Sequence, residues 1–277
     1  MGGGPSTLLD KPWKALPKNN QESLHFMKWY KPRNKEASHL RILLHGPVGA
    51  GKSSFINSVD SVLQSRVTGR ALTDATSGGS FTKEYKTYKI SNGPDTFYSF
   101  VFNDIMGLEQ KANNGVHVED IKLALRGHVR DGYKFNSHPL TEGDPSYNPS
   151  PKLDDRVHIL VSVIPADSVS LISDEVIKKM REVRLAASAM GIPQVAILTK
   201  VDKACAEAKQ DIRNVYKSRY LDEQVNTFSE LLGLQANCIF LVKNYAKEND
   251  TQDDTDALIL CALRQMINYG EDFLNDL

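Results

Sequence analysis

Cysteine is scarce in this chain, and neither sign of charge is in excess. The three cysteines, Cys205, Cys238 and Cys261, are far apart and odd in number. They predict neither a disulfide framework nor a Cys-x-x-Cys metal site, so a reducing, cytoplasmic location is expected. Lysine plus arginine number 34, and aspartate plus glutamate also number 34. Because nucleic-acid binders usually carry a basic excess, no nucleic-acid partner is expected.

Long hydrophobic runs are absent as well. No apolar stretch approaches the length of a membrane span, and no secretory signal is visible. The first six residues, Met1 to Ser6, do fit the N-myristoylation pattern, although an unmodified glycine-rich start fits them equally well. One myristoyl chain gives only marginal, reversible attachment, so membrane contact is expected only if Gly2 is acylated.

The chain does contain a glycine-rich phosphate-binding motif, because residues 46–53 fit the pattern G-x-x-x-x-G-K-[ST]. An apolar stretch, Leu40–His45, leads into the motif as a predicted strand, and apolar residues at helical spacing follow it. Strand, turn and helix N-terminus together predict a site where backbone N–H groups hold a phosphate chain. In this site Lys52 is expected to contact the phosphates and Ser53 to bind Mg²⁺. The candidate binding residues are Gly46, Val48, Gly49, Ala50, Gly51, Lys52, Ser53 and Ser54.

Predicted strands and helices alternate along most of the chain. The predicted strands are Leu40–His45, Phe81–Ile90, Phe97–Asn103, Val157–Ile164, Val195–Leu198 and Cys238–Val242, the second and third forming a hairpin around residues 91–94. The predicted helices include Gln21–Tyr30, Val118–Leu125, one ended by Gly191, Ile212–Leu232 and Ala257–Ile267. This succession predicts an α/β fold, a mainly parallel mixed sheet with helices on both faces and a ligand at the carboxyl ends of the strands.

One main domain with two less regular parts is expected. Residues 40–277 form the predicted P-loop domain, and residues 1–39 are an extension that packs on it. Residues 131–152 form an irregular insertion with four prolines and no hydrophobic periodicity. For a loop of this length, disorder or a plain surface position is favoured over a role in interactions.

Two further motifs stand at predicted strand ends. Asp104-Ile105-Met106-Gly107 reads D-x-x-G, so Asp104 is expected to hold Mg²⁺ and the Gly107 N–H to contact a γ-phosphate. Thr199-Lys200-Val201-Asp202 reads [NT]-K-x-D. The three motifs in this order resemble those of the Ras-like GTPases. The resemblance implies a P-loop GTPase fold that binds GTP or GDP together with Mg²⁺.

The resemblance also implies how the base is recognised. Asp202 would accept hydrogen bonds from the guanine N1–H and exocyclic amine, while Lys200 covers the base beside Thr199. Adenine offers no such donor pair, and an unpaired, desolvated Asp202 would be costly. A backbone contact to the guanine carbonyl is expected after the last strand, at Asn244.

The switch threonine that senses the γ-phosphate through Mg²⁺ should lie just before the second strand. Ser80-Phe81-Thr82 resembles the Ser-x-Thr of the immunity-associated GTPases, so Thr82 is preferred as this metal ligand. Thr76, which precedes Ser77-Gly78-Gly79, is the alternative.

Residues 40–277 as a whole resemble the GTPase-like region of the interferon-induced protein 44 and 44-like family. The resemblance rests on residues 41–59, on Arg130-Asp131-Gly132-Tyr133-Lys134-Phe135-Asn136, and on Leu263-Arg264-Gln265-Met266. It implies an interferon-inducible, cytoplasmic, GTP-binding protein with an antiviral or growth-restraining role. Longer members carry an additional domain ahead of this region, and we expect none of it in the 39 residues before Leu40.

Two departures from the Ras pattern bear on turnover. Leu108 follows D-x-x-G where Ras-type enzymes place the glutamine that orients the attacking water, and leucine cannot do so. Val48 stands where Ras has a glycine. Hydrolysis is therefore expected to be feeble, and whether the chain is an enzyme stays open. Three functions remain: a GTP-binding switch with slow hydrolysis, a GTPase activated by self-association, and an interaction scaffold with a structural nucleotide pocket.

Overall fold

A six-stranded sheet runs through the centre of the molecule. The structure, a computed structural model, describes residues 8–16, 19–71, 83–110 and 115–277. The strands in this part of the chain are β1 Leu40–His45, β2 Lys86–Gly93, β3 Thr96–Asp104, β4 Ile159–Pro165, β5 Gln194–Thr199 and β6 Ile239–Leu241. Their order in the sheet is β2-β3-β1-β4-β5-β6, and only the β2–β3 pair is antiparallel. The predicted mixed, mainly parallel sheet is confirmed.

Helices cover both faces of this sheet. They are α1 Asn20–Trp29, α2 Lys52–Gln64, α3 Val118–Leu125, α4 Asp174–Ala189, α5 Val201–Ala204, α6 Ala206–Gln210, α7 Arg219–Leu232 and α8 Asp253–Asn275. Buried side chains of α1, α2 and α8 pack on one face, and those of α3, α4 and α7 pack on the other. Every residue of β4 is buried, which explains the nearly continuous apolar run in its sequence.

The chain order of the strands reverses at β1. β1 lies between β3 and β4, and its residue Leu44 is in register with Asp104 at the end of β3. In open α/β sheets, ligands bind beyond the carboxyl ends of the strands at such a reversal point. The glycine-rich motif follows β1 directly, so the fold places it at this position.

The prediction of one long helix over Ile212–Leu232 is wrong. A short 3₁₀ helix, Ile212–Lys217, is separated from α7 by Ser218, whose backbone is extended. The buried Ser218 hydroxyl accepts a hydrogen bond from the Leu221 N–H at 3.3 Å and thereby caps α7. The buried Ser218 therefore separates two helical segments, even though apolar residues recur at helical spacing on both sides of it.

The hairpin prediction is correct in type but wrong in its turn. β2 continues through residues 91–93, and the turn falls on Pro94 and Asp95, with Asp95 in the left-handed region at φ 53°. Residues 72–82 lie outside the described part of the chain, so the beginning of the strand predicted from Phe81 is not placed. From Lys86 onward the strand is present.

The N-terminal segment packs along the domain. The Tyr30 hydroxyl donates to Glu271 on α8 at 2.8 Å, which holds the end of α1 against that helix. The Trp13 N–H donates to the Tyr216 carbonyl at 3.0 Å, and the two rings meet edge-on at 5.4 Å. No helix among the described residues combines the length and the apolar character that crossing a membrane requires.

The insertion at residues 131–152 contains no helix or strand, as expected. The expectation of disorder or a plain surface loop is nevertheless wrong for part of it. Tyr133 is 3% exposed and Leu140 is 6% exposed, and both belong to the core beneath α3. The four prolines remove helical periodicity, but they do not prevent these two apolar side chains from being buried.

Candidate functional site

The glycine-rich loop connects β1 to the N-terminus of α2. Gly46 has φ 149°, and a Cβ added there would lie 2.0 Å from the Val163 carbonyl oxygen. Gly49 and Gly51 also have positive φ, 71° and 94°. The backbone therefore requires glycine at position 46 for steric reasons, and the loop reaches α2 with its N–H groups at the positive end of the helix.

Lys52, the first residue of α2, folds back over the loop. It is 7% exposed, and its ammonium donates to the carbonyl oxygens of Gly46 at 3.3 Å and Pro47 at 3.1 Å. Burial lowers the pKa of Lys52, and the negative charge of nearby Asp104 opposes that shift. A buried ammonium beside a ring of backbone donors is suited to hold a phosphate chain.

Ser53 and Asp104 meet beneath this loop. The Ser53 hydroxyl donates a short hydrogen bond to an oxygen of Asp104, although 51 residues separate the two in sequence. One hydroxyl and one carboxylate suit Mg²⁺, which usually takes few protein ligands and completes its shell with phosphate and water. No group of three or more histidine, cysteine, aspartate or glutamate side chains forms a metal cage within the described ranges. The residues therefore fit a Mg²⁺ ion that arrives with a phosphate ligand.

The end of β5 is bonded to the glycine-rich loop. The Thr199 hydroxyl donates to the Ala50 carbonyl at 2.6 Å, and the Lys200 ammonium donates to the Gly49 carbonyl at 2.8 Å. Lys200 has a left-handed backbone with φ 57°, which turns the chain into α5. The first two residues of the [NT]-K-x-D motif, Thr199 and Lys200, thus hold the glycine-rich loop in place.

Asp202 is half-buried in α5, directly after this turn. Among the described residues, none donates a hydrogen bond to its carboxylate or pairs with it. An aspartate has two oxygens that accept hydrogen bonds when it is ionised. The carboxylate at this strand end is therefore available to a ligand that presents two donors.

The loop after β6 contributes Asn244. Its side-chain amide donates to the Gly51 carbonyl at 3.2 Å, which adds a third bond to consecutive carbonyls of the glycine-rich loop. The sequence predicted only a backbone role for Asn244, and no local signal points to this side-chain contact. The Tyr245 N–H is bound to the Ser58 hydroxyl at 2.9 Å. Within the part that the structure describes, the backbone N–H groups of Lys243 and Asn244 donate to no protein acceptor, so they are the ones available to a base.

Glu248 shapes the same loop. Its carboxylate accepts the Ala246 N–H at 2.9 Å and the Lys247 N–H at 3.0 Å, and it pairs with the Lys243 ammonium at 2.8 Å. Burial opposes ionisation, but these donors prevail and lower the pKa of Glu248 to about 2. The loop is therefore held by a charged residue that the sequence did not single out.

The D-x-x-G segment packs against the loop. The Leu108 N–H donates to the Gly46 carbonyl at 2.9 Å, and the Leu108 side chain is 1% exposed in the core. A Cβ added to Gly107 would lie 2.6 Å from three atoms of Val48, so Gly107 and Val48 are in direct contact. The Leu108 side chain therefore packs in the core and does not face the phosphates. It also lacks a polar group that could orient a water molecule.

Replacing Leu108 with glutamine is expected to destabilise the fold. Leu108→Gln would bury an amide among apolar neighbours and lower the free energy of unfolding by ~1–3 kcal/mol. Leu108→Met, which nearly conserves the volume, should cost less than about 1.5 kcal/mol. Urea unfolding of the three proteins measures this. Equal stability of Leu108→Gln together with faster GTP hydrolysis would show that the side chain at 108 can leave the core.

The remaining candidates divide into placed and unplaced residues. Ser54 lies half-buried on α2, and its carbonyl accepts the Ser58 hydroxyl at 2.8 Å. His45 is fully buried against Ser162, and burial with the charge of Lys52 lowers its pKa to about 3, consistent with a packed residue. The two candidate switch threonines at positions 76 and 82 and the myristoylation pattern at residues 1–6 lie outside the described residues.

A solved structure has the same overall fold. Toc33 from Arabidopsis thaliana, crystallised in complex with Mg²⁺ and GMPPNP, superposes with a TM-score of 0.51 over 92% of this chain and 94% of its own. The sequence identity is 14%, so the likeness concerns the fold. The predicted P-loop α/β fold is confirmed.

The sequence relatives are more specific. No family model matches the chain. Human interferon-induced protein 44-like is 38% identical over 253 residues, which cover 90% of this chain and 55% of the relative. Human interferon-induced protein 44 is 35% identical over 275 residues, 98% of this chain and 61% of the relative, and the mouse protein is 34% identical over 256 residues. The chain therefore spans somewhat more than half the length of these relatives. Over this shared region, the chain belongs to the interferon-induced protein 44 and 44-like family.

Proposed function

We propose that this chain is a Mg²⁺-dependent guanine-nucleotide-binding protein that acts as a GTP-binding switch with slow hydrolysis. The observation that carries the proposal is the convergence of three motifs at the carboxyl-terminal edge of one sheet. Lys52 and Ser53 follow β1, Asp104 ends β3, and the turn into Asp202 follows β5. Phosphate, metal and base would each contact a different strand end.

The base preference follows from the carboxylate in α5. Guanine presents N1–H and an exocyclic amine side by side, and these two donors match the two oxygens of Asp202. Adenine would leave the carboxylate desolvated without partners, and sites built around such bonds discriminate strongly. The Lys200 ammonium is held at the Gly49 carbonyl, and we propose that its alkyl chain covers one face of the base.

A Mg²⁺ ion, when bound, would supply positive charge to the phosphates. Ser53 and Asp104 are the described residues that would hold it, and Lys52 would add a fixed positive charge. Leu108, which stands where Ras has the glutamine that orients the attacking water, is apolar and 1% exposed. The site therefore favours binding over turnover.

Dilute protein is expected to hydrolyse GTP no faster than ~10⁻⁴ to 10⁻³ s⁻¹, the scale of an unassisted small GTPase. Single-turnover measurements with protein in excess of GTP, at low protein concentration, determine this rate. A dilute rate near 1 s⁻¹ would be incompatible with a slow switch. It would show that another residue, such as Glu109 or Gln110, orients the water.

A second candidate is a GTPase completed by self-association. It is favoured by an open groove of about 530 Å³ beside the loop, lined by Val48, Leu108, Glu109 and Gln110 and bordered by Leu171, which is 80% exposed. A side chain from a second copy could enter there. A rate per molecule that rises with protein concentration would select this candidate, and a constant rate would reject it.

A third candidate is an interaction scaffold with a structural nucleotide pocket. A nucleotide that binds two conformations equally well shifts no equilibrium, so identical hydrogen-exchange patterns with GDP and GTP would favour the scaffold.

In cells, we propose interferon-induced expression, a cytoplasmic location and an antiviral role, on the basis of the relatives' names and the free cysteines. Transcript levels after interferon treatment, fractionation and viral yield in cells lacking the protein test these three points.

A further inference from the structure

The proline-rich insertion, residues 131–152, is attached to the domain at several places, and two of them bear on the nucleotide site. One place is the stretch that leads into β2, and the other is α3. Each follows a segment for which the sequence predicts nucleotide contact: the candidate switch threonines precede β2, and the D-x-x-G motif precedes α3. The insertion therefore contacts the residues that follow each of these two segments.

The first attachment is a short backbone pairing. The Tyr85 N–H donates to the Tyr133 carbonyl at 2.7 Å, and the Gly132 N–H donates to the Tyr85 carbonyl at 2.8 Å. The Phe135 N–H donates to the Lys83 carbonyl at 3.0 Å, which extends the pairing. Residues 132–135 thus cover the polar backbone of the edge stretch at 83–85, which would otherwise lack partners.

The second attachment is the carboxylate of Asp120 on α3. Asp120 is fully buried, and it accepts the Leu140 N–H at 2.7 Å and, more weakly, the Tyr133 hydroxyl at 3.4 Å. Burial raises the pKa of Asp120, while the hydrogen bond from Leu140 opposes that shift. A buried carboxylate is costly unless it is bonded, so this contact ties the middle of the insertion firmly to α3.

α3 is itself connected to the glycine-rich loop. The Leu108 N–H binds the Gly46 carbonyl at 2.9 Å, and the Val116 N–H binds the Gly107 carbonyl at 3.3 Å. α3 begins two residues after Val116. If Gly107 moved toward a γ-phosphate, the hydrogen bond from Val116 would transmit the movement to the start of α3. Asp120 lies in the first turn of that helix and would move with it.

We propose that residues 131–152 report which nucleotide is bound, and that Asp120 is the positioning residue that couples them to the phosphate loop. The proposal rests on the proposed function. Residues 83–85 lead into the sheet, whereas α3 follows the D-x-x-G segment. Under the proposed function, that segment would contact the γ-phosphate, which GTP has and GDP lacks. The insertion spans both, so its attachment at Leu140 should differ between the GDP and GTP states.

Hydrogen exchange of the full chain tests the proposal, with GDP·Mg²⁺ and with GMPPNP·Mg²⁺ at saturation. In the unmodified protein, exchange in peptides covering 132–141 should differ at least about threefold between the two nucleotides, because exchange reflects the free energy of local opening. Asp120→Ala should abolish this difference while both affinities stay within about threefold, because Asp120 lies outside the nucleotide site. Asp120→Asn, which keeps an acceptor for the Leu140 N–H, should retain most of the difference.

Asp144→Ala is the matched control. Asp144 accepts the Ser146 N–H at 2.7 Å inside the insertion and has no hydrogen bond or ion pair with α3, so its loss should leave the nucleotide difference intact. If Asp120→Ala does not fold, Tyr133→Phe removes the weaker bond alone and should reduce the difference. Tight binding with equal exchange in both states would overturn the proposal, as would a difference that survives Asp120→Ala. Failure of the unmodified protein to bind either nucleotide would instead overturn the proposed function, and this proposal with it.

Discussion

Lys52→Ala is expected to abolish tight guanine-nucleotide binding while leaving the fold intact. Removing one partner of a buried charge pair costs ~3–5 kcal/mol, so affinity should fall by about a hundredfold to several thousandfold. Among the described residues, the ammonium donates hydrogen bonds only to the Gly46 and Pro47 carbonyls of the loop, and burial already disfavours its charge. The loss should therefore appear in nucleotide affinity rather than in thermal stability without ligand.

Fluorescent GTP and GDP titrations, paired with a thermal melt of the nucleotide-free proteins, separate the two effects. Lys209→Ala is the matched control. Lys209 is exposed on α6, so this substitution removes the same charge at a distant surface position. A folded Lys52→Ala protein with unchanged affinity would contradict the assignment of the phosphate site.

Asp202→Asn is expected to remove the preference for guanine over adenine. The unmodified protein should prefer GTP over ATP by at least about a hundredfold, since unpaired buried polar groups discriminate strongly. The substitution exchanges one acceptor for a donor, so it should weaken GTP binding and strengthen binding of XTP, whose base offers an acceptor in place of the amine. Competition of GTP, ATP and XTP against one fluorescent nucleotide measures all three affinities.

Asp250→Asn changes the same charge at an exposed position after β6 and should leave the order of affinities unaltered. If Asp202→Asn binds GTP as tightly as the unmodified protein, the base lies elsewhere. The [NT]-K-x-D reading of residues 199–202 would then be wrong, although the phosphate site at Lys52 could still stand.

Local patterns were enough to predict the mainly parallel sheet, and they also indicated which residues to consider as a binding site. The glycine-rich motif, Asp104 and Thr199 each follow a short apolar run, and such runs are readable because both faces of the central strands are buried. The structure joins Ser53 to Asp104 and Thr199 to Ala50. These pairings depend on the order of the strands in the sheet, which places β1 between β3 and β4.

Other features depend on contacts between distant residues and left no readable trace. Apolar spacing continues through Ser218, so the capping bond that divides the helix there could not be predicted. The side-chain contact of Asn244 with Gly51 joins residues 193 apart. The insertion looked unstructured because proline removes periodicity, yet Asp120 binds Leu140 across 20 residues. The burial of Leu108 likewise follows from the packing around it rather than from its own sequence context.

Binding of GTP and ATP to the unmodified, nucleotide-free protein tests the central claim most directly, with and without Mg²⁺. We expect GTP to bind at least about a hundredfold more tightly than ATP, because only guanine satisfies the carboxylate of Asp202. We also expect the affinity for GTP to fall when Mg²⁺ is removed, because Ser53 and Asp104 would hold the ion against the phosphates. Equal affinities for GTP and ATP, or no binding of either, would contradict the account.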